Sequence, residues 1–166
     1  GVSPVRGWLV LCLLGWGVGV ARADAPAGAR LRQAQDLVAR GQPGRALAAL
    51  ERGPSRGLLA RHLWDARARL HARLGQPHAA VALLDRLLRL GDGPLAAEAR
   101  VLRAEQLWLA GAYARAARAY RGLRRRYPHH PSPSRWLHGE ARARLLAGDP
   151  AGATALWRRL LREHPR

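Results

Sequence analysis

The sequence predicts an all-α protein assembled from about four helical hairpins. Two observations carry that expectation. Glycines at 41, 75, 111 and 148 recur at intervals of 34, 36 and 37 residues, a period expected of helical repeat arrays. Columns of like residues run in phase with them. Ala34, Ala68, Ala104 and Ala141 each stand seven residues before a glycine, and Ala46, Ala80, Ala116 and Ala153 stand five after. Nine residues after each glycine comes a large apolar residue, Leu50, Leu84, Tyr120 or Trp157, and two after comes Pro43, Pro77, Tyr113 or Pro150. Biased composition does not produce phased columns, and no segment shows the two-residue alternation of a strand.

The elements follow from the same pattern. Runs such as Trp64-Asp65-Ala66-Arg67-Ala68-Arg69-Leu70 space their apolar residues as an amphipathic helix does. A glycine after such a run takes the left-handed conformation that stops a helix and turns the chain. Proline then opens the second helix, where its missing N–H would be unpaired in any case. The alanines are small enough for paired helices to cross closely. This gives helices over 29–40, 43–52, 57–74, 77–90, 95–110, 113–126, 134–147 and 150–163, in repeat units of about 29–54, 57–91, 95–128 and 134–165. Pro128 and Pro165 close the third and fourth units, 37 residues apart.

Composition narrows the function classes. All 29 basic residues are arginine, against 11 acids, for a net charge of +18. Lys, Asn, Ile, Phe and Met are absent, which a GC-rich coding sequence explains. The missing Met leads us to expect that the true start lies upstream of Gly1. A hydrophobic fraction of 48% is enough to build a core, and one cysteine excludes a disulfide scaffold. Residues 1–23 read as a signal peptide. Arg6 precedes an apolar stretch from Trp8 to Ala21, and Ala21-Arg22-Ala23 forms a small-x-small site before Asp24. The stretch is too short to span a bilayer stably. Cleavage after Ala23 removes Cys12, Arg6 and Arg22 and lowers the net charge to +16. The expected location is periplasmic or secreted, with residues 24–166 as the mature repeat domain.

At this point the residues resemble the tetratricopeptide (TPR) repeat family. The best unit is Ala104-x-x-Leu107-x-x-x-Gly111-x-Tyr113-x-x-Ala116-x-x-x-Tyr120, closed by Pro128, and Trp64 fills the family's aromatic position near the start of a first helix. The resemblance runs from about Arg30 to Pro165 and implies a right-handed TPR-like solenoid. Departures are visible. Arg30 and Arg100 stand where Trp64 does, His71 and Arg144 stand where Leu107 does, and the first unit ends early at Gly53-Pro54.

No catalytic constellation emerges, and no metal or cofactor is expected. His129-His130 before Pro131 lacks the converging ligands that a metal site needs. The serines carry no nucleophile motif, and no phosphate-cradling glycine loop is present. The 11 acids are scattered, with no paired carboxylates. Arg124-Arg125-Arg126 and Arg158-Arg159 suit the negative ends of second helices. The resemblance implies that first helices line a concave groove and places His62, Asp65, Arg69, Arg73, Glu98, Glu105, Trp108, Arg135, His138 and Arg142 near it. The row mixes signs and includes an aromatic, so it suits a peptide better than a bare polyanion. Trp108 reads equally as a groove anchor or as packing between units. Trp136 reads as a staple between the third and fourth units, and Trp157 as core.

The expected function is an exported, non-enzymatic interaction scaffold that binds protein or peptide partners in the bacterial cell envelope. The phrase from Ala119 to Pro131 looks like segments of periplasmic TPR proteins of the Tol–Pal and outer-membrane assembly type. The alternative is the non-catalytic N-terminal superhelix of a soluble lytic murein transglycosylase, with peptidoglycan or another anionic envelope polymer as partner. In that reading the chain is truncated after Arg166, because no polar capping helix follows. Nucleic acid is not an expected partner. That class, like binding to anionic membranes, rests on charge alone and predicts steep salt dependence.

Overall fold

The computed structural model describes residues 25–165; the predicted signal peptide and its cleavage site lie outside them. Among the described residues there are eight helices and no strand. They are α1 (Ala25–Ala39), α2 (Pro43–Glu51), α3 (Ala60–Arg73), α4 (Pro77–Arg89), α5 (Ala96–Leu109), α6 (Tyr113–Arg126), α7 (Pro133–Leu146) and α8 (Pro150–Glu163). The all-α class and the helical-hairpin arrangement are those read from the repeat. Two starts move. α1 is already helical at Ala25, the first described residue, rather than from 29. α3 begins at Ala60 rather than 57, because Gly57 has a φ of 79° and turns the chain before the helix.

The four repeat glycines do what their spacing implied. Gly41, Gly75, Gly111 and Gly148 have φ of 73°, 69°, 75° and 87°, a region that disfavours any Cβ-bearing residue. At Gly111 the capping bonds are complete. The Gly111 N–H donates to the Trp108 carbonyl at 3.0 Å, and the Ala112 N–H to the Leu107 carbonyl at 2.9 Å, the paired bonds of a Schellman stop. The same pair recurs at Gly41 with Val38 and Leu37, and at Gly148 with Leu145 and Arg144.

The chain divides at the Leu74–Gly75 junction into two compact units. In the N-terminal unit, α1, α2 and α3 enclose a core that includes Val38, Leu47, Leu50, Leu63 and Leu70. In the C-terminal unit, α6 packs against α5 and α7, and α7 packs against α8. Leu107, Ala116 and Ala143 form one core cluster there, with Trp108 half-buried against it. Ala104, Leu123 and Trp136 form a second, with Tyr120 and Tyr127 at its edge. All eight column alanines are 0% exposed. Their small size is therefore a packing requirement, as close helix crossing demands.

Trp136 is buried and contacts Tyr127, with ring centroids 6.2 Å apart, so it joins α7 to the end of α6. Trp157 differs from expectation. It is half-exposed, and its indole N–H donates to His138 Nδ1 at 3.3 Å. Ala153 is the only buried residue of α8, so the column that is core at Leu50 and Leu84 lies near the surface at Trp157.

Candidate functional site

Each departure from the repeat pattern has a local partner. Arg30, on α1, donates to the Leu50 carbonyl at 3.0 Å and the Pro54 carbonyl at 2.8 Å. It ties the end of α2 to α1 by hydrogen bonds, where an aromatic side chain would do so by packing. The guanidinium lies 3.0 Å from where a Cβ on Gly53 would stand, so it packs closely over the glycine. Arg100, at the corresponding place on α5, donates to the Tyr127 hydroxyl at 3.1 Å and to Asp92 at 2.6 Å. His71 lies 3.7 Å from the Glu51 carboxylate.

Arg144 exposes a residue that sequence reasoning passed over. Glu140, one turn earlier on α7, is 1% exposed and accepts from Arg144 at 3.1 Å. From α6, Arg124 donates to the other carboxylate oxygen through Nε at 2.9 Å and through Nη2 as well. Burying a lone carboxylate is prohibitive, so two guanidinium groups are needed to hold it. The Arg124-Arg125-Arg126 run thus does more than complement a helix dipole. Arg124 pairs with Glu140 and Arg126 with Asp92, while Arg125 faces solvent. The i, i+4 spacing of Glu140 and Arg144 was legible, but the burial was not.

The ten groove candidates separate into two sets. In the N-terminal unit, Asp65 is buried and accepts from Arg69 at 2.7 Å, one turn along α3. His62 and Arg73 are exposed on the same helix. This set is turned partly into the fold, and Asp65 is not an open acid.

The C-terminal unit brings its candidates together across α5, α7 and α8. Arg135 on α7 donates to Glu105 on α5 at 3.2 Å. Arg142, two turns further along α7, places its guanidinium carbon 4.5 Å from the centre of the Trp108 ring on α5, a cation–π distance. The Trp108 ring also meets Tyr113 edge-on, with centroids 6.2 Å apart. Trp108 is packed against the core on one side, as the packing alternative expects, and covered by Arg142 on another. Its indole nitrogen is buried without a hydrogen-bond partner among the described residues. His138, exposed on α7, continues the row to Trp157 on α8. Glu98 is exposed in the first turn of α5.

Tyr120, on α6, lies within this cluster and was read only as a core column. Burial and the Glu105 carboxylate push its hydroxyl up to about 12, with Arg135 and Arg142 pulling the other way. Burial also raises the Glu105 carboxyl, against the pull of Arg135. The ring rests on α7 at Gly139, where a Cβ would come within 2.8 Å of it. Gly139 is thus the residue that lets Tyr120 approach the α7 backbone. The result is a surface with a half-buried aromatic base, two arginines, one acid and one histidine. Such a set presents charged, polar and aromatic groups side by side. Among the described residues, no group of three or more His, Cys, Asp or Glu is placed to hold a metal ion. Nor is any helix among them long and apolar enough to cross a membrane.

Comparison with known proteins agrees with the repeat. The family profile described as tetratricopeptide repeat matches residues 66–131. No curated protein matches the sequence. Among solved structures, MamA 41-end from Desulfovibrio magneticus RS-1 superposes with a TM-score of 0.70 at 18% identity, covering 85% of this chain and 77% of that one. Another MamA crystal structure gives 0.65 at 15% identity, over 95% and 85% of the two chains. A Podosopora anserina protein of nearly identical TPR-like repeats gives 0.66 at 17% identity, over 98% and 86%. At these identities the likeness is one of fold, and the fold is that of TPR-like helical repeats.

Proposed function

From these tetratricopeptide-like repeats we infer that the chain is a non-enzymatic protein–protein interaction scaffold, exported to the periplasm and working in the bacterial cell envelope. The observation that carries the binding role is the face shared by α5 and α7, where Arg142 covers Trp108 and Arg135 pairs with Glu105. Trp and Arg are the residue types most enriched at interaction hot spots. Here the Trp is fixed by packing, and the two arginines remain accessible, since both are exposed. A peptide segment carrying an acidic and an apolar side chain fits the set: the acid displaces Glu105 from Arg135, and the apolar group meets Trp108. Export is supported by the signal-peptide pattern ending at Ala23.

Two measurements test this reading. Intact mass of the protein recovered from the periplasmic fraction should correspond to a chain beginning at Asp24; an unprocessed chain in the cytoplasm would remove the localisation. An array of peptides from envelope proteins should yield mixed-charge binders. Trp108→Ala and Arg142→Ala should each weaken them by about thirtyfold, the scale of a hot-spot residue. Equal binding by both variants would exclude this face. Retention on peptidoglycan sacculi with no peptide binder would favour the transglycosylase-type alternative.

A further inference from the structure

The C-terminal unit has a second surface, made by the outer sides of α6 and α8, which the peptide-binding reading does not use. Its acids are committed elsewhere. Asp85 pairs with Arg103 and Arg115, and Asp92 with Arg100 and Arg126. Glu105 pairs with Arg135, Glu140 with Arg124 and Arg144, Asp149 with Arg144, and Glu163 with Arg159. Arg118, Arg121 and Arg125 on α6, and Arg158 and Arg162 on α8, are all exposed, and none has an ion-pair partner among the described residues.

These five arginines are ordered. Arg118, Arg121 and Arg125 fall at i, i+3 and i+7, one face of α6. Arg121 and Arg158 hold the same place in consecutive repeats, ten residues after Gly111 and Gly148, and Arg125 and Arg162 hold another, fourteen after. α6 and α8 both pack against α7, which sets the matching positions of the two repeats in sequence along the unit. Gly122 lies among the α6 arginines, and a Cβ there would meet nothing within 4 Å. Internal packing therefore does not explain this mid-helix glycine. Leu161, between Arg158 and Arg162 in sequence, is 72% exposed.

We propose that this α6–α8 face docks on an anionic lipid surface. Arginine presents a planar, bidentate donor set to phosphate groups, and basic residues near an anionic bilayer each contribute to attraction. The face carries an exposed leucine that can enter the headgroup boundary, as interfacial helices do. The aromatic rings of α6 and α8, Tyr113, Tyr120 and Trp157, are partly buried and lie against Trp108, Gly139 and His138, so they do not offer the stacking platform that single-stranded nucleic acid would use. Docking here leaves the α5–α7 face free, so a bound peptide and a membrane are held by different surfaces.

Co-sedimentation of the full chain with phosphatidylcholine vesicles, with and without phosphatidylglycerol, tests the proposal. Binding should need the anionic lipid and should fall steeply between about 0.1 and about 0.5 M salt. At roughly fivefold per arginine, the combined change of Arg118, Arg121, Arg125, Arg158 and Arg162 to Gln should weaken it by about three-thousandfold, which amounts to loss of measurable binding. The smaller variant R121Q/R158Q should weaken it by about twentyfold, so a folding failure of the larger one does not decide the matter. Leu161→Gln should weaken it severalfold. A charge-matched control, Arg32, Arg40, Arg45, Arg52 and Arg56 to Gln, should bind nearly as the parent does. Equal loss in that control would reduce the effect to net charge and overturn the proposal. Equal binding to neutral vesicles, or full competition by a short DNA duplex at equal phosphate concentration, would overturn it as well.

Discussion

Glu140 shows how one side chain acquires a structural role that its neighbours in sequence do not disclose. Its carboxylate is enclosed, and Arg124 and Arg144 approach it from different helices. Removing one partner of a buried ion pair leaves the remaining charges uncompensated, at a cost of about 3 kcal/mol or more. Glu140→Ala should therefore lower the unfolding free energy by about that amount in urea titration, although α7 gains a better helix former. Two glycines give opposite expectations under the same substitution. Gly139→Ala places a methyl group 2.8 Å from the Tyr120 ring, held between α6 and α7, and should destabilise the fold. Gly122→Ala fills open space on an exposed helix face and should stabilise it by about 0.5–1 kcal/mol. Thermal melts of the two variants should move in opposite directions.

At the scale of the element, the helices are defined more firmly at their ends than by side-chain caps. Prolines open α2, α4, α7 and α8, and positive-φ glycines follow α1, α3, α5 and α7. α8 has a further device: the Asp149 side chain accepts from the Gly152 N–H at 2.9 Å and from Arg144 at 3.1 Å. The Gly152 N–H, and then Arg144, hold the Asp149 carboxyl below its ordinary value of 3.8. A depressed carboxylate stabilises the fold above its unfolded-state value, and that contribution is lost as pH falls through the folded-state value. Asp149→Ala should therefore lower the melting temperature at pH 7, and the difference from the parent should shrink in acid, as pH falls below the ordinary carboxyl value of 3.8. A constant difference across pH would mean that the hydrogen bond to Gly152 is not what stabilises α8.

For the molecule as a whole, the net charge of +18 resolves into distinct roles. Some arginines replace repeat-pattern residues and tie helices together, as Arg30, Arg100 and Arg144 do. Others stand on the α5–α7 face beside Trp108 and Glu105. A third group stays unpaired on the outer face of α6 and α8. The tests for peptide and lipid binding separate the last two, because their substitutions fall on different surfaces. A peptide set by mixed charge and an aromatic should resist salt better than a lipid surface held mainly by charge.

The sequence by itself determined the all-α class, the hairpin repeat and nearly every helix boundary. Those properties depend on local conformation: glycine for a positive φ, proline for a helix start, alanine where helices must cross closely. Tertiary structure decided what the lapses in the pattern meant. Arg144 in a leucine column reads as decay until Glu140 is seen buried beside it, and Gly139 reads as a helix weakness until the Tyr120 ring is seen against it. It also decided which candidates meet, bringing Trp108 to Arg142 and Glu105 to Arg135 while drawing Asp65 inward. Burial and side-chain pairing between helices depend on residues some 16 to 34 positions apart. No local period encodes them.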